Sequence, residues 1–204
     1  MTALLDVNAL TVTFNTGVTV GPLSLRRDRG VVWLRGANGS GKSTLLRCLC
    51  GERPASTGSV RIAGEDPFES PAVRARVSLV GTAAELPEYL TVDEAWRMMA
   101  SLRGQRGWSG TALRDALDLP GNLALRHASS GQRRRAELVA ALAGDPDILL
   151  MDEVFTTLDT TGCAVLSEWL DSWRSGRLVV ITSHTPLPVA VDEEVDLRRT
   201  AVPA

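Results

Sequence analysis

Apolar positions recur along the chain with two different periods. Near the start, LTVTF and VTVGPLSLRR alternate apolar and polar residues, which predicts short β-strands with one buried face. Further along there are four nearly continuous apolar runs, VVWLRG (Val31–Gly36), RVSLVG, DILLMDE and RLVVITSH. Because a strand that is apolar on both sides must be covered on both sides, these runs predict a parallel sheet between helices.

The segments between these runs have helical periodicity. KSTLLRCLCG predicts a helix that ends at Gly51, and TGCAVLSEWLDSWRS predicts an amphipathic helix. The region from about Pro87 to Arg126 is predicted to be mainly helical, and breaks are expected at Gly104, Gly107, Pro120 and Gly121. The tail from Pro186 is only weakly periodic, so RLVVITSH is the last predicted strand. The predicted fold is α/β, with a mostly parallel sheet, a small antiparallel β layer and an inserted helical region.

Length and composition narrow the class of protein. The 204 residues favour a single domain (1–204), with an approximate helical subdomain at 83–142. The formal net charge of -2 argues against a nucleic-acid partner bound by bulk charge. No apolar run reaches the roughly 18–20 residues that span a bilayer, and MTALLDVNAL lacks the basic start of a signal peptide. The three cysteines have no metal-site spacing and are expected to be reduced, in a cytosolic compartment.

A glycine-rich segment carries the strongest chemical motif. GANGSGKST, Gly36–Thr44, matches the phosphate-binding pattern G-x-x-x-x-G-K-[ST] between a predicted strand and a predicted helix. Lys42, the one lysine among the 22 basic residues, is expected to reach the β- and γ-phosphates, and Ser43 to hold Mg²⁺. The predicted phosphate-binding residues are Gly36, Asn38, Gly39, Ser40, Gly41, Lys42, Ser43 and Thr44.

Two acidic residues end the apolar run DILLMDE. A buried strand that ends in carboxylates presents them at the sheet edge where α/β proteins bind ligands. Asp152 is therefore expected to hold Mg²⁺, and Glu153 to polarise the attacking water.

The segment HASSGQRRRAELVAAL, from His127, has two interpretations. One is a helix capped by serine, and the other is a phosphate clamp that acts on a nucleotide held by another subunit. The other motifs of the chain favour the phosphate clamp, although the serine cap is expected in either case.

The motif order resembles that of ABC-type ATPases over nearly the whole chain. The order is the P-loop, SSGQRRRAEL, DILLMDE, TTLD and ITSH. The resemblance implies a P-loop NTPase fold that binds ATP and Mg²⁺, with Lys42, Glu153 and His184 in catalysis. It also implies an adenine contact at Phe14, a clamp on a partner's γ-phosphate, and a D-loop aspartate at Asp159. The clamp residues are Ser129, Gly131 and Gln132.

Three features depart from the family's pattern. Thr82 stands where the family has a glutamine that helps to bind Mg²⁺, and Glu85 is a possible substitute. The usual LSGGQ is ASSGQ (Ala128–Gln132), and Val154 replaces a proline. Together these differences suggest slow or specialised hydrolysis.

The resemblance further implies the ATP-binding subunit of a transporter. The chain looks most like short exporter subunits, such as the heme-exporter subunit of cytochrome c maturation. Its expected partners are a second ATP-binding subunit, identical or different, and a separate multi-span membrane subunit at the cytoplasmic face of the cell membrane. The alternatives are a soluble ABC ATPase without transport, a regulator that barely hydrolyses ATP, and a small-molecule kinase, which would not need SSGQ or TTLD.

Overall fold

The computed structural model describes residues 3–81, 86–104 and 111–197. Thr82 and Glu85 lie outside these ranges, as does the predicted break at Gly107. The strands are β1 (Leu5–Thr13), β2 (Thr19–Arg27), β3 (Gly30–Arg35), β4 (Thr57–Ile62), β5 (Val77–Val80), β6 (Ile148–Asp152), β7 (Leu178–Ser183) and β8 (Glu193–Asp196). The helices are α1 (Lys42–Leu49), α2 (Pro71–Arg74), α3 (Val92–Leu102), α4 (Thr111–Ala116), α5 (Ser130–Ala141), α6 (Val154–Thr157) and α7 (Thr160–Trp173).

The strands form two sheets within the described residues. A parallel sheet has the order β5-β6-β7-β3-β8, and an antiparallel sheet has the order β2-β1-β4. The α/β fold expected from the sequence, with a small antiparallel layer beside a parallel sheet, is therefore confirmed.

Each central strand of the parallel sheet faces two cores. Val32 and Val180 pack into the core shared with the antiparallel sheet and α1. Val31 and Val179, one position away, pack into the opposite core with residues of α3, α5 and α7. Since successive side chains of a strand point to opposite faces, burial on both faces requires the continuous apolar runs seen in the sequence.

Helix α3 begins with a reciprocal cap. The backbone N–H of Thr91 donates to Glu94 Oε2 at 2.8 Å, and the backbone N–H of Glu94 donates to Thr91 Oγ1 at 3.3 Å. This pair satisfies two backbone donors that a helix start leaves without partners. The cap fixes the start of α3 at Val92.

The prediction for Pro87–Arg126 was too helical. Within the described part of this region, α3 and α4 are each followed by a turn, at 103–104 and 117–118, and Leu125–His127 form a 3-10 turn. The chain just before α3 bonds to the chain after α4 in an isolated antiparallel bridge between Thr91 and Ala124, since the Leu125 N–H donates to Leu90 O and the Val92 N–H donates to Leu123 O. These bonds join residues distant in sequence, which local periodicity does not reveal.

The tail after Pro186 also contradicts the prediction, because β8 adds a strand to the sheet. Strand β8 pairs in parallel with β3, and Glu194 lies opposite Trp33. The acidic segment EEVD lacks a strand's apolar pattern, but Glu193 pairs with Arg27 and Glu194 with Arg35. Charged residues are common on edge strands, and here their partners come from β3 beside β8 and from β2 of the other sheet.

Within 3–81, 86–104 and 111–197, none of the helices has both the length and the apolar character needed to cross a bilayer.

Candidate nucleotide-binding site

Strand register brings the predicted site residues to one edge of the parallel sheet. In the β6–β7 pairing Asp152 lies opposite Thr182, and in the β3–β7 pairing Arg35 lies opposite Ser183. The glycine-rich loop after β3, Glu153 after β6 and His184 after β7 therefore leave the sheet at neighbouring carboxyl ends. This is the edge at which α/β sheets bind ligands.

The loop between β3 and α1 depends on glycine at the helix N-cap. Gly41 has φ 93°, in the left-handed region, and a Cβ there would lie 2.2 Å from Val20 Cγ1. Any other side chain would clash with the Val20 side chain of β2, so the close approach of the loop to the antiparallel layer requires glycine. The hydroxyl of Ser40 is buried in this loop and has no hydrogen-bond partner within the described ranges.

The ammonium of Lys42 is buried at the centre of the site. It donates to the carbonyls of Gly36 at 2.8 Å and Ala37 at 3.2 Å. It also lies 3.0 Å from Glu153 Oε1, an ion pair without hydrogen-bond geometry. The side chain is 6% exposed, so its charge is balanced by the loop and by Glu153 rather than by bulk water.

Glu153 connects Lys42 to His184. Its other carboxylate oxygen lies 3.1 Å from His184 Nδ1. The backbone of Glu153 has φ 52°, a left-handed conformation that is unfavourable for a residue with a Cβ and is often found at functional sites. The predicted catalytic residues Lys42, Glu153 and His184 are thus a contiguous set.

Thr182 is a site residue that the sequence analysis missed. Its buried hydroxyl donates to Asp152 Oδ1 at 2.7 Å and accepts from the Glu153 N–H at 3.1 Å. The side chain is 0% exposed, and it holds both acids in place. The polar residue within an otherwise apolar strand, RLVVITSH, was the available signal, since a buried hydroxyl needs a partner.

A cleft of about 460 Å³ runs along the glycine-rich loop. Phe14 lies along it, with the Arg53 guanidinium 4.5 Å from the ring centroid. Ser43, the predicted Mg²⁺ ligand, is exposed, whereas Asp152 is buried. The predicted residues that line the cleft are Phe14, Asn38, Gly39, Gly41, Lys42, Ser43, Thr44 and Glu153.

The SSGQ segment lies on a different cavity. Ser129 caps α5, because its hydroxyl accepts from the Gln132 N–H at 3.2 Å while Gln132 Oε1 accepts from the Ser129 N–H at 3.0 Å. The predicted serine cap is therefore confirmed. Gly131 and Asp159 line a cavity of about 670 Å³ that shares no lining residue with the glycine-rich cleft.

Asp159, in the TTLD segment, caps α7 and pairs with α5. One carboxylate oxygen accepts from the Gly162 N–H at 2.9 Å, and both accept from Arg135 Nη2, at 3.0 and 2.9 Å. The Gly162 N–H, followed by the Arg135 guanidinium, lowers the pKa of the Asp159 carboxyl below its ordinary value.

The glycine-rich loop leads from parallel strand β3 into helix α1. Two acids lie beside it at the end of β6, which is separated from β3 by β7. This arrangement defines a P-loop nucleotide-binding protein. The family model described as ABC transporter matches residues 22–156. The chain therefore belongs to the ABC transporter family, as its motif order indicated.

Several relatives are similar over most of the chain. The cytochrome c biogenesis ATP-binding export protein of Pseudomonas fluorescens is 35% identical over 88% of this chain and 89% of its own length. A Nod factor export ATP-binding protein of Cupriavidus pinatubonensis is 33% identical over 90% of this chain. The chain spans 59% of that protein's length, and 64% and 50% of the next two curated relatives that it matches.

Solved structures support the fold. An ATP-binding subunit of an ABC transporter has a TM-score of 0.80 and 24% identity, covering 89% of this chain and 79% of its own. A dimeric ATP-binding cassette with bound ADP and phosphate has a TM-score of 0.76 and 21% identity, covering 89% and 88%.

Replacing Thr182 with valine tests its hold on the two acids. Thr182→Val keeps the shape of the side chain but leaves the buried Asp152 carboxylate without its hydroxyl donor, while the Glu153 N–H keeps only its bond to the Thr182 carbonyl. We therefore expect the free energy of unfolding to fall by about 1–3 kcal/mol. Urea denaturation measures the change. Thr182→Ser retains the hydroxyl and is the matched control, and equal stability of the valine and serine variants would contradict the assignment.

The capping carboxylate of Asp159 predicts a pH-dependent contribution to stability. Because its pKa is lowered on folding, the ionised group stabilises the fold above the unfolded pKa of about 3.9, and this contribution is lost as the pH falls through the lower folded pKa. Asp159→Asn keeps a side chain that can cap the helix but removes the negative charge. Its melting temperature should therefore be below that of the wild type at pH 7 and approach it below about pH 4. Glu168→Gln, on the same helix, controls for loss of a charge; a pH-independent difference for Asp159→Asn would oppose the prediction.

Proposed function

We propose that this chain binds and hydrolyses Mg-ATP. The observation that carries the proposal is the contiguous set of Lys42, Glu153 and His184 at the carboxyl edge of the sheet, beside the glycine-rich loop. In the proposed reaction Glu153 orients a water and accepts its proton as the water oxygen attacks the γ-phosphorus in line. The bond from that phosphorus to the bridging oxygen breaks, and the products are ADP and inorganic phosphate. Lys42 and His184 stabilise the charge that develops on the phosphoryl oxygens.

The chemistry of the loop and of the acids fits this ligand. The buried Ser40 hydroxyl lacks a partner among the described residues, and the Lys42 ammonium lies in the same loop, so the loop has donors suited to phosphate. Asp152 and Ser43 offer the oxygen atoms that Mg²⁺ prefers. When bound, Mg²⁺ supplies positive charge to the β- and γ-phosphate oxygens. Phe14 lines the same cleft, where an aromatic ring can contact adenine.

The complete site requires a second ATP-binding subunit. Within one chain the SSGQ helix and the glycine-rich loop line separate cavities. The start of α5, with Ser129 and Gly131, is a helix N-terminus suited to a phosphate presented by a partner. We propose that two such subunits, identical or different, close around ATP, and that Gln132 supports the clamp by holding the Ser129 cap.

Similarity to export proteins supports a role in transport. We propose that the dimer drives a separate multi-span membrane subunit at the cytoplasmic face of the cell membrane, and that the complex is an exporter. The names of the cytochrome c biogenesis and Nod factor export relatives support this direction. In this proposal the region of about Pro87–Arg126, within the approximate helical subdomain 83–142, contacts the membrane subunit.

Removal of the central charges tests the catalytic assignment. Lys42→Ala should abolish ATP binding or turnover, because the phosphates lose their buried cation. Glu153→Gln should keep nucleotide binding and lower kcat by at least about 100-fold, as for loss of a general base. Steady-state phosphate release and fluorescent-nucleotide binding measure the two effects, and unchanged turnover in Lys42→Ala would refute the phosphate-loop assignment.

The clamp predicts that ATP-driven dimerisation depends on Ser129. Ser129→Arg places a bulky cation where the partner's phosphate would lie, so the Ser129→Arg, Glu153→Gln double variant should remain monomeric in Mg-ATP. Glu153→Gln alone should form a dimer, as judged by size-exclusion chromatography with light scattering. An ATP-dependent dimer of the double variant would argue against the clamp.

A further inference from the structure

Arg134 is a buried arginine in the first turns of α5, five residues after Ser129. Its side chain is 9% exposed, whereas Arg133 and Arg135 on either side are partly exposed. Burial of a guanidinium is unfavourable unless its charge and donors are matched, so its contacts indicate what the position is for.

The guanidinium joins three separate parts of the fold. Its Nη1 donates to the carbonyl of Gly81, just after β5, at 2.9 Å, and to Glu137 Oε2 at 2.8 Å. Its Nε donates to Thr157 Oγ1 at 2.9 Å. Glu137 matches the charge within α5, while Gly81 and Thr157 belong to segments that leave neighbouring strands of the sheet at the site.

Thr157 extends the connection to Glu153. The Thr157 hydroxyl donates to the carbonyl of Val154 at 2.8 Å, and Glu153 is the N-cap of the same four-residue helix, α6. Arg134 is therefore two hydrogen bonds from the backbone next to Glu153. Because α6 is a single turn, a shift of Thr157 moves the peptide that carries this carboxylate.

The arrangement is not the one that stability alone would favour. The Nη2 nitrogen of Arg134 is buried and has no hydrogen-bond partner among the residues that the structure describes. An unpartnered buried donor destabilises the fold, and an apolar side chain of similar volume would avoid that penalty. Arg134 lines the cavity of about 670 Å³ between α5 and segment 157–159. Polar contacts therefore join α5 to this segment across the cavity.

We propose that Arg134 is a positioning residue for ATP hydrolysis, which links the helix that carries Ser129 and Gly131 to the peptide that carries Glu153. A partner's phosphate bound at the start of α5 then influences the placement of the water-activating carboxylate in the same chain. This inference rests on the proposed ATPase function.

The experiment breaks the link at each end in the full-length chain. Arg134→Lys keeps the charge but cannot reach two acceptors in a planar fork, and Thr157→Val removes the hydroxyl at the other end. Each should lower kcat for Mg-ATP by about tenfold, the size expected for one charged hydrogen bond, and leave the KM for ATP within about twofold. Thr157→Ser should restore kcat.

Arg133→Lys is the matched control. Arg133 lies on the same helix and makes two hydrogen bonds, to Glu88 and to the carbonyl of Leu125, away from Gly81 and Thr157. Arg133→Lys should leave kcat within about twofold of the wild type, because Arg133 shares no hydrogen-bond partner with Arg134 and its loss should not affect that link. Melting temperatures of all variants show whether a loss of kcat follows a loss of folded protein.

A double-mutant cycle decides whether the two residues act together. The Arg134→Lys, Thr157→Val variant should be no slower than about the worse of the two single variants. Three results would overturn the proposal: multiplicative losses in the double variant, a rise in KM with unchanged kcat, or equal effects of Arg134→Lys and Arg133→Lys. The ATPase function would still stand in these cases if the wild type turns over Mg-ATP and Glu153→Gln does not. A wild-type chain without Mg-ATP turnover would overturn both.

Discussion

The buried ammonium of Lys42 is the contact on which the site depends. It bonds to two carbonyls of the glycine-rich loop and pairs with Glu153, so it ties the loop after β3 to the segment after β6. Breaking a buried ion pair leaves one charge without compensation, so the loop and the acid stabilise each other's positions. Gly41, next to Lys42, lets the loop approach Val20 of β2 without a clash.

Register turns these separate segments into one site. Residues 152, 182 and 184 are distant in sequence from the loop, yet parallel pairing of β6, β7 and β3 brings their strand ends together. Thr182 then binds both Asp152 and the peptide of Glu153, and His184 contacts the carboxylate of Glu153. The two apolar faces of the sheet support this edge, because each central strand is buried on both sides.

The SSGQ helix is joined to the rest of the chain by arginines where it borders the 670 Å³ cavity. Arg135 pairs with Asp159, and Arg134 bonds to Thr157 and Gly81. Directional polar contacts across a cavity can transmit a displacement without the repacking that a close-packed apolar contact requires. This arrangement suits a helix whose N-terminus is proposed to meet a nucleotide on another subunit.

The sequence by itself determined the parallel sheet, the glycine-rich loop, the acids at the end of β6 and the family, since apolar periodicity and short motifs are local properties. The serine cap of α5 was predictable for the same reason. Only the tertiary structure revealed β8, because Glu193 and Glu194 are matched by arginines on other strands, and the isolated antiparallel bridge beside α3, whose bonds join distant residues. It also decided the roles of Thr182 and Arg134, because a buried polar side chain is defined by its partners, and strand order rather than chain order selects them.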